Sequence, residues 1–225
     1  MFLTRFVACG AMVSACASLP APCAGASVCG RGEECLANRC VQAGVLPAPD
    51  TSERRVLEPA SIVVLAPGRS ASDLPAAVTF GSRAEGPSLL LLRFVPRWPA
   101  HSRIASAFLL LDPWPGTQPN LEDVPVEVWR IEAPWQAHQV TWLDRPRLGY
   151  PRSGGLARTA PPSVLRVDVT RLVRELTAPG RHDHGMAVAS RADSPGGASF
   201  ATGASGGYAP RLEVYLDPAP RPGKP

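Results

Sequence analysis

The sequence has 225 residues, which is enough for one domain of ordinary size with short additions and too short for two large domains. With 26 prolines, 20 glycines, 45% hydrophobic and only 6% aromatic residues, it favours a β-rich interior of Leu, Val and Ala joined by many turns. Of the 23 basic residues only Lys224 is a lysine, and the formal charge of +4 is spread along the chain, so the sequence predicts no nucleic-acid partner.

The N-terminal residues have the pattern of an export signal. Arg5 lies in a short basic region and is followed by an apolar run over residues 6–15 that ends in small side chains. The run is too short to span a bilayer as a stable helix. Residues 1–15 are therefore predicted to be a signal peptide that directs the chain out of the cytoplasm.

A lipidation motif overlaps the end of this signal. Val-Ser-Ala-Cys at 13–16 resembles a bacterial lipobox, in which the thiol of Cys16 accepts a diacylglycerol. Several acyl chains anchor a protein firmly, whereas a single chain binds only marginally. We therefore expect residues 16–22 to be a lipidated tether in the bacterial cell envelope, at the outer membrane, with the lipid as the only membrane contact. Ordinary signal cleavage near Ala15 or Ala17 is the alternative, and it also leads to an exported protein.

Four cysteines cluster in the next segment, residues 23–41. They are Cys23, Cys29, Cys35 and Cys40. In an exported chain such a cluster predicts two disulfides with three possible connectivities, and we prefer Cys23–Cys35 with Cys29–Cys40. A zinc site is the alternative, although the usual closely spaced cysteine pairs are absent. So short a segment cannot form a hydrophobic core, which leaves its order to the disulfides.

Two segments lack any hydrophobic period. Residues 42–59 are rich in Pro and charge and are predicted to be a linker. Residues 218–225, Pro-Ala-Pro-Arg-Pro-Gly-Lys-Pro, are predicted to be a disordered tail. The main domain is therefore placed at 60–217.

Short apolar segments separated by Gly and Pro recur through this domain. Leu165, Val167 and Val169 alternate with polar residues, as expected for a strand with one buried face. The runs at 89–94 and 107–111 are almost continuously apolar, which is typical of central strands covered on both sides. The strand candidates are 61–65, 76–80, 89–94, 107–111, 124–128, 139–142, 165–169, 186–190, 198–202 and 211–216.

One segment, residues 170–176, has helical spacing. Thr170 is its predicted N-cap, and Leu172, Val173 and Leu176 share one side. Many strands with one short helix predict an all-β fold, a jelly-roll-like antiparallel β-sandwich preceded by a small disulfide-rich segment.

Eight segments of the main domain occur in an order and spacing that point to one family. They are LLLLRF at 89–94, IASAFLLL at 104–111, VEVWRI at 126–131, VTWLDRP at 140–146, VDVTRLVREL at 167–176, GMAVAS at 185–190, ASFATG at 198–203 and APRLEVYL at 209–216. Together they resemble the DNRLRE domain, also described as carbohydrate-binding module family 96 and related to the disaggregatase repeats. The resemblance implies a module that binds polysaccharide. Residues 61–84 depart from the family, which usually opens with an Asp-containing strand and an Asn-Tyr-Gly turn.

Aromatic residues and arginines in Pro/Gly-rich loops are the candidate ligand-binding residues. Exposed rings can stack on sugar rings, and guanidinium groups can pair with uronate or sulfate groups. Packing as a loop anchor is the alternative for each aromatic residue. The candidates are Trp98, Trp114, Tyr150, Tyr208, Arg97 and Arg147, with Arg103, Arg152 and Arg211 as further arginines. Trp135 and Trp142 are instead expected to pack in the core.

Catalytic and metal motifs are not recognisable in this sequence. His182-Asp183-His184 would place two imidazoles on one side of a strand, but no third metal ligand can be identified, and a solvated loop is favoured. Asp168 and Glu213 are expected on the outer faces of their strands rather than as a catalytic pair. We therefore predict no catalytic residue, no metal and no cofactor, and nothing in the sequence supports a calcium ion.

These observations predict an exported, lipid-anchored protein that is not an enzyme. The first hypothesis is a cell-surface module that binds polysaccharide, acidic polysaccharide included because of the loop arginines. The alternative is a non-catalytic structural or protein-interaction module of the bacterial cell surface. The expected partner is accordingly a polysaccharide or another cell-surface component.

Overall fold

The computed structural model describes residues 33–36, 39–42, 53–69, 73–96, 98, 102–115, 123–157, 163–191, 197–205 and 208–217. The chain divides into two compact units, Met1–Ala48 and Pro49–Pro225. The predicted signal peptide, the lipidation residue Cys16, the tether at 16–22 and the tail at 218–225 lie outside the described residues.

The first unit contains an antiparallel hairpin of β1 (Glu33–Leu36) and β2 (Arg39–Gln42). Its register sets the Cα atom of Cys35 opposite that of Cys40. Cys23 and Cys29 lie outside the described residues, so the predicted disulfide pairing stays a prediction.

The described residues of the second unit form eleven strands and one helix. No helix in this part of the chain is long and apolar enough to cross a membrane. The elements are β3 (Glu53–Leu57), β4 (Ser61–Leu65), β5 (Ala77–Phe80), β6 (Leu89–Arg93), β7 (Arg103–Leu111), β8 (Val124–Ile131), β9 (Leu148–Ala157), β10 (Leu165–Asp168), α1 (Thr170–Leu176), β11 (Met186–Ala189), β12 (Ala198–Ala201) and β13 (Arg211–Asp217).

The strands form two antiparallel layers, which confirms the predicted all-β sandwich with one short helix. One layer is the five-stranded sheet β4-β6-β11-β8-β9. The other is the four-stranded sheet β10-β7-β13-β3. A bridge between Pro113 and Phe200 attaches the pair β12-β5 to the end of β7, so this pair continues the second layer.

The main core lies between the layers and follows from the alternation of each strand. In β13, Leu212, Val214 and Leu216 are buried in this core. In β6, Leu90 and Leu92 enter the same core, while Leu89 and Leu91 pack on the opposite face. There they meet side chains from the segment 132–147, so the continuous apolar run of β6 is buried on both sides, as predicted. The helix α1 contributes Leu172, Val173 and Leu176 to the main core.

The strand predicted at 139–142 is wrong. The backbone N–H groups of Gln139 and Val140 both donate to the carbonyl of Gln136, at 3.0 Å each, which closes a turn. Thr141 and Asp144 then form a second turn through side chain hydrogen bonds. Val140 is buried against the outer face of the five-stranded sheet, so its apolar character reflects packing of a loop rather than strand alternation. Trp135 and Trp142 pack in the same cluster, as expected.

Strand β9 carries no sequence signal for a strand, and the sequence analysis missed it. Its buried positions include Gly149, Pro151 and Ala157, whose small or cyclic side chains hide the usual apolar alternation. Tyr150, predicted in a loop, therefore lies in a strand that pairs with β8.

The predicted linker at 42–59 ends earlier than expected, because β3 lies within it. All five of its residues pair with β13, from Glu53 opposite Leu216 to Leu57 opposite Leu212. Four of the five side chains are exposed, so this edge strand has no buried apolar face that the sequence could reveal.

The predicted N-cap Thr170 is also wrong. The helix begins at Thr170, and Val169 is the N-cap residue without a side chain cap. The hydroxyl of Thr170 instead accepts a 2.9 Å hydrogen bond from the N–H of Ala107, which ties the helix to β7. The Thr170 N–H donates to the carboxylate of Asp168 at 2.9 Å.

Candidate functional site

The predicted ligand-binding residues that the structure describes lie in different strands and loops. Trp98 is half-buried and packs against the main core, beside α1. The backbone N–H of Trp114 donates to the carbonyl of Ser199 in β12, at 2.9 Å. Tyr208 is 66% exposed in the loop before β13. These three positions do not share a strand or loop with Tyr150.

Two of the predicted arginines, Arg97 and Arg147, provide no candidate site. Arg97 lies outside the described residues. Arg147 is exposed just before β9, and its carbonyl accepts a 3.0 Å hydrogen bond from the N–H of Glu132. Tyr150 and Arg152, both predicted from the sequence, are the candidates around which the described structure forms a cluster.

An exposed cluster forms on the outer face of the five-stranded sheet, at β8 and β9. In β8, Val124, Val126 and Val128 point into the main core, so the residues between them point outward. Outward-facing Trp129 is only 8% exposed, and Tyr150 covers one edge of it, with ring centroids 5.8 Å apart at 60°. Tyr150 itself is 69% exposed. A mostly buried ring thus supports a mostly exposed one.

Two arginines and a carboxylate complete this cluster. The guanidinium carbons of Arg152 and Arg191 lie 5.1 and 5.7 Å from the Trp129 ring centroid, within range of cation–π attraction. Arg152 donates to one carboxylate oxygen of Glu127 at 2.7 Å, and Arg191 lies 3.6 Å from the other. We call Glu127, Trp129, Tyr150, Arg152 and Arg191 the aromatic–arginine surface. Its formal charge is +1, because two guanidinium groups share one carboxylate.

Strand register explains how these residues meet. Arg152 lies directly opposite Trp129 in the β8–β9 pair, and Ala189 lies opposite Glu127 in the β8–β11 pair. Arg191 follows two residues after Ala189, which brings it to the same face of the sheet. The sequence held a usable signal for Trp129, because it alternates with buried valines. The sequence held no signal for the contact between Trp129 and Arg191, because that contact depends on the order of the strands in the sheet.

A second arginine cluster lies on the outer face of the four-stranded sheet. Glu213 faces outward as predicted, yet it is buried, because Arg54 and Arg166 cover its carboxylate. Arg54 donates a hydrogen bond to Glu213, which raises the pKa of its guanidinium above the ordinary value. Arg166 lies 3.6 Å from the other oxygen and 3.8 Å above the Phe108 ring centroid. We call this cluster closed, because its two arginines cover the carboxylate and leave little of it for a ligand.

The His182-Asp183-His184 motif forms a loop rather than a strand. The two imidazole rings stack with centroids 6.0 Å apart, and within the described ranges no group of three or more His, Cys, Asp or Glu side chains is placed to hold a metal. Asp183 points inward, and its carboxylate accepts a 2.8 Å hydrogen bond from the Gly185 N–H. Burial raises the pKa of Asp183, and this effect outweighs that hydrogen bond and the nearby charges of His184 and Arg93.

Comparison with protein-family models and with curated proteins finds no match to this chain. The resemblance to the DNRLRE domain therefore stays an expectation.

Proposed function

We propose that this protein is an exported, lipid-anchored component of the bacterial cell envelope whose β-sandwich binds polysaccharide, acidic polysaccharide included. The aromatic–arginine surface is the proposed binding site. The export signal at 1–15 and the lipobox cysteine Cys16 support the location.

The observation that carries the proposal is the exposed ring of Tyr150, held against the buried ring of Trp129. A sugar ring presents C–H groups that pack on an aromatic face, and a ring that is already held in place loses little conformational freedom on binding. Arg152 and Arg191 stand beside the rings and can donate hydrogen bonds to hydroxyl, carboxylate or sulfate groups.

Affinity electrophoresis of residues 49–225 tests the proposal with matched tyrosine variants. Gels containing polygalacturonate, dextran sulfate, cellulose derivatives or mannan are compared with a gel lacking polysaccharide. We expect at least one polysaccharide to retard the protein, and Tyr150→Ala to weaken this binding about tenfold through loss of stacking. Tyr208→Ala removes an equally exposed tyrosine from another element and serves as the control.

The result also separates the two hypotheses raised by the sequence. Retardation that Tyr150→Ala weakens about tenfold and Tyr208→Ala preserves supports polysaccharide binding at the aromatic–arginine surface. Migration that no polysaccharide changes contradicts it and leaves the structural or protein-interaction module.

A further inference from the structure

A cleft of about 610 Å³ opens on the side of the sandwich opposite β9, where β4 and β5 are the outermost strands of their sheets. Ala77, Val78 and Thr79 of β5 form one wall. Val64 and Ala66, at the end of β4, lie on the other. The cleft therefore separates two sheet edges that belong to opposite layers.

The three lining residues of β5 are consecutive, and this identifies what the strand presents to the cleft. Successive side chains of a strand point to opposite faces, so one face cannot supply three neighbours. The edge of the backbone must line the cleft instead. Since N–H and C=O groups of alternate residues point to opposite edges, at least one of the three residues directs both groups at the cleft.

The other edge of β5 is already paired. Thr79 lies opposite Ser199 of β12, and their hydroxyl oxygens are 2.8 Å apart. Among the described residues, β12 is the sole partner of β5, so the pair is a two-stranded sheet whose second edge faces the cleft. The far edge of β12 is hydrogen-bonded to residues 112–114, so β5 is the outer strand on this side of the layer.

Charge selects among extended segments that could occupy this edge. Asp73 precedes β5 and Glu85 follows it, and both line the cleft. Arg69, from the turn after β4, is its one lining arginine within the described residues. The described lining of the cleft therefore has a formal charge of −1, from two carboxylates and one guanidinium, which favours a segment that carries Lys or Arg.

We propose that the free edge of β5 binds an extended, basic segment of a partner protein, which adds a third strand to the β12–β5 pair. Main-chain hydrogen bonds supply the affinity, and the two carboxylates supply the preference for basic side chains. The four residues of β5 offer about 13 Å of edge at ~3.3 Å per residue, which suits a segment of four to six residues. This activity goes beyond polysaccharide binding and does not depend on it.

The test uses the full chain and an array of end-capped hexapeptides in which Val, Ile or Thr alternates with Lys or Arg. Fluorescence anisotropy measures the affinity of the peptides that bind, and hydrogen exchange locates them. We expect slower exchange of amides within Ala77–Phe80. Replacing Lys by Glu in the peptide weakens binding, and replacing its β-branched residues by Pro weakens it about tenfold.

N-methylation of the peptide distinguishes strand addition from binding by side chains alone. Methyl groups on one alternating set of amides should abolish binding, while methyl groups on the other set should leave it unchanged, since only one set faces β5. In the protein, Asp73→Asn combined with Glu85→Gln should weaken the basic peptides about two- to fivefold. Glu175→Gln on α1 is the control for loss of a carboxylate, and Tyr150→Ala should have no effect.

Three results would overturn the proposal. The first is that no peptide of the array binds, and the second is that both N-methylated sets bind equally. The third is that β5 becomes protected by self-association of the chain, seen by sedimentation without peptide, which would make a second copy the occupant. Electrophoresis with Tyr150→Ala tests the polysaccharide site, and the peptide array tests the edge of β5. Either proposal can therefore fail while the other holds.

Discussion

The outer faces of the two sheets each carry a cluster of arginines, a carboxylate and an aromatic ring, but the two clusters differ in how exposed they are. Each has a carboxylate held by two arginines, and in each an arginine lies over an aromatic ring. On the four-stranded sheet the carboxylate of Glu213 is 8% exposed, whereas on the five-stranded sheet Glu127 is 23% exposed and Arg191 is 76% exposed. In the first cluster the arginines cover the carboxylate, whereas in the second the carboxylate and Arg191 leave surface open to a ligand.

The difference comes from what lies next to each carboxylate. Glu213 stands on a central strand, with Phe108 opposite it on β7 and Val56 opposite it on β3. Arg54 reaches it from the neighbouring strand β3, and Arg166 reaches it from β10, across the Phe108 ring of β7. Glu127 stands near the end of its sheet, where β9 presents Gly154 opposite it and leaves the space above open. A glycine in place of a bulky cross-strand neighbour thus separates a structural cluster from an accessible one.

The largest expected contrast is in stability. Glu213→Gln removes the carboxylate that two arginines share, and the buried Nε atom of Arg166 already has no hydrogen-bond partner among the described residues. We expect the free energy of unfolding to fall by about 2–3 kcal/mol. Glu127→Gln breaks exposed contacts and should cost less than about 1 kcal/mol. Urea denaturation of both variants measures the difference, and equal losses would contradict the assignment of one cluster as closed and the other as open.

A smaller effect should appear in binding. Glu127 occupies the two arginines of the aromatic–arginine surface and so competes with an anionic ligand for them. Glu127→Gln raises the formal charge of the surface from +1 to +2. We expect it to increase affinity for polygalacturonate about two- to fivefold, with a steeper dependence on salt, and to leave binding of neutral polysaccharide unchanged.

A lower affinity of Glu127→Gln for polygalacturonate would contradict this expectation. If Glu127 is needed to hold Arg152 and Arg191 in place, Glu127→Gln will weaken binding of polygalacturonate. That result would show that the carboxylate orients the arginines rather than competes for them. Asp144→Asn, which removes an exposed carboxylate from the segment 132–147, controls for the change in net charge.

Much of the fold could be predicted because burial on one face leaves a period in the sequence. Leu165 and Val167, or Leu212 and Val214, alternate because each second side chain enters the main core. β3 and β9 left no such period, since β3 is mostly exposed and β9 buries glycine and proline. Pairing with neighbours, and not their own side chains, makes these two segments strands.

The candidate site was only partly predictable for a related reason. Tyr150 and Arg152 were identified from the sequence, but Trp129 and Glu127 come from β8, and Arg191 follows the end of β11. Loop composition also suggested Trp98, whose ring packs against the core instead. Single residues reveal their chemistry, while a site depends on which strands the sheet brings side by side.

The smallest effect concerns a third carboxylate, which sharpens the contrast with Glu213. Asp183 is partly buried, and burial raises its pKa above the ordinary value of 3.8 despite its hydrogen bond from Gly185. An acid with a raised pKa in the folded state binds protons more readily folded than unfolded. Its contribution to stability is therefore greatest below its ordinary pKa and falls as pH rises through the raised pKa.

Asp183→Asn should remove this dependence, because asparagine keeps the hydrogen-bond acceptor for Gly185 and does not titrate. We expect the unfolding free energy of the wild type, relative to this variant, to decrease from pH 4 to pH 7 and to level off once Asp183 is ionised. Urea denaturation across that range measures it, and Asp144→Asn, at an exposed position, provides the comparison. A relative stability that instead rises with pH would mean that ionised Asp183 is favoured in the fold, as expected if the charges of Arg93 and His184 outweigh burial.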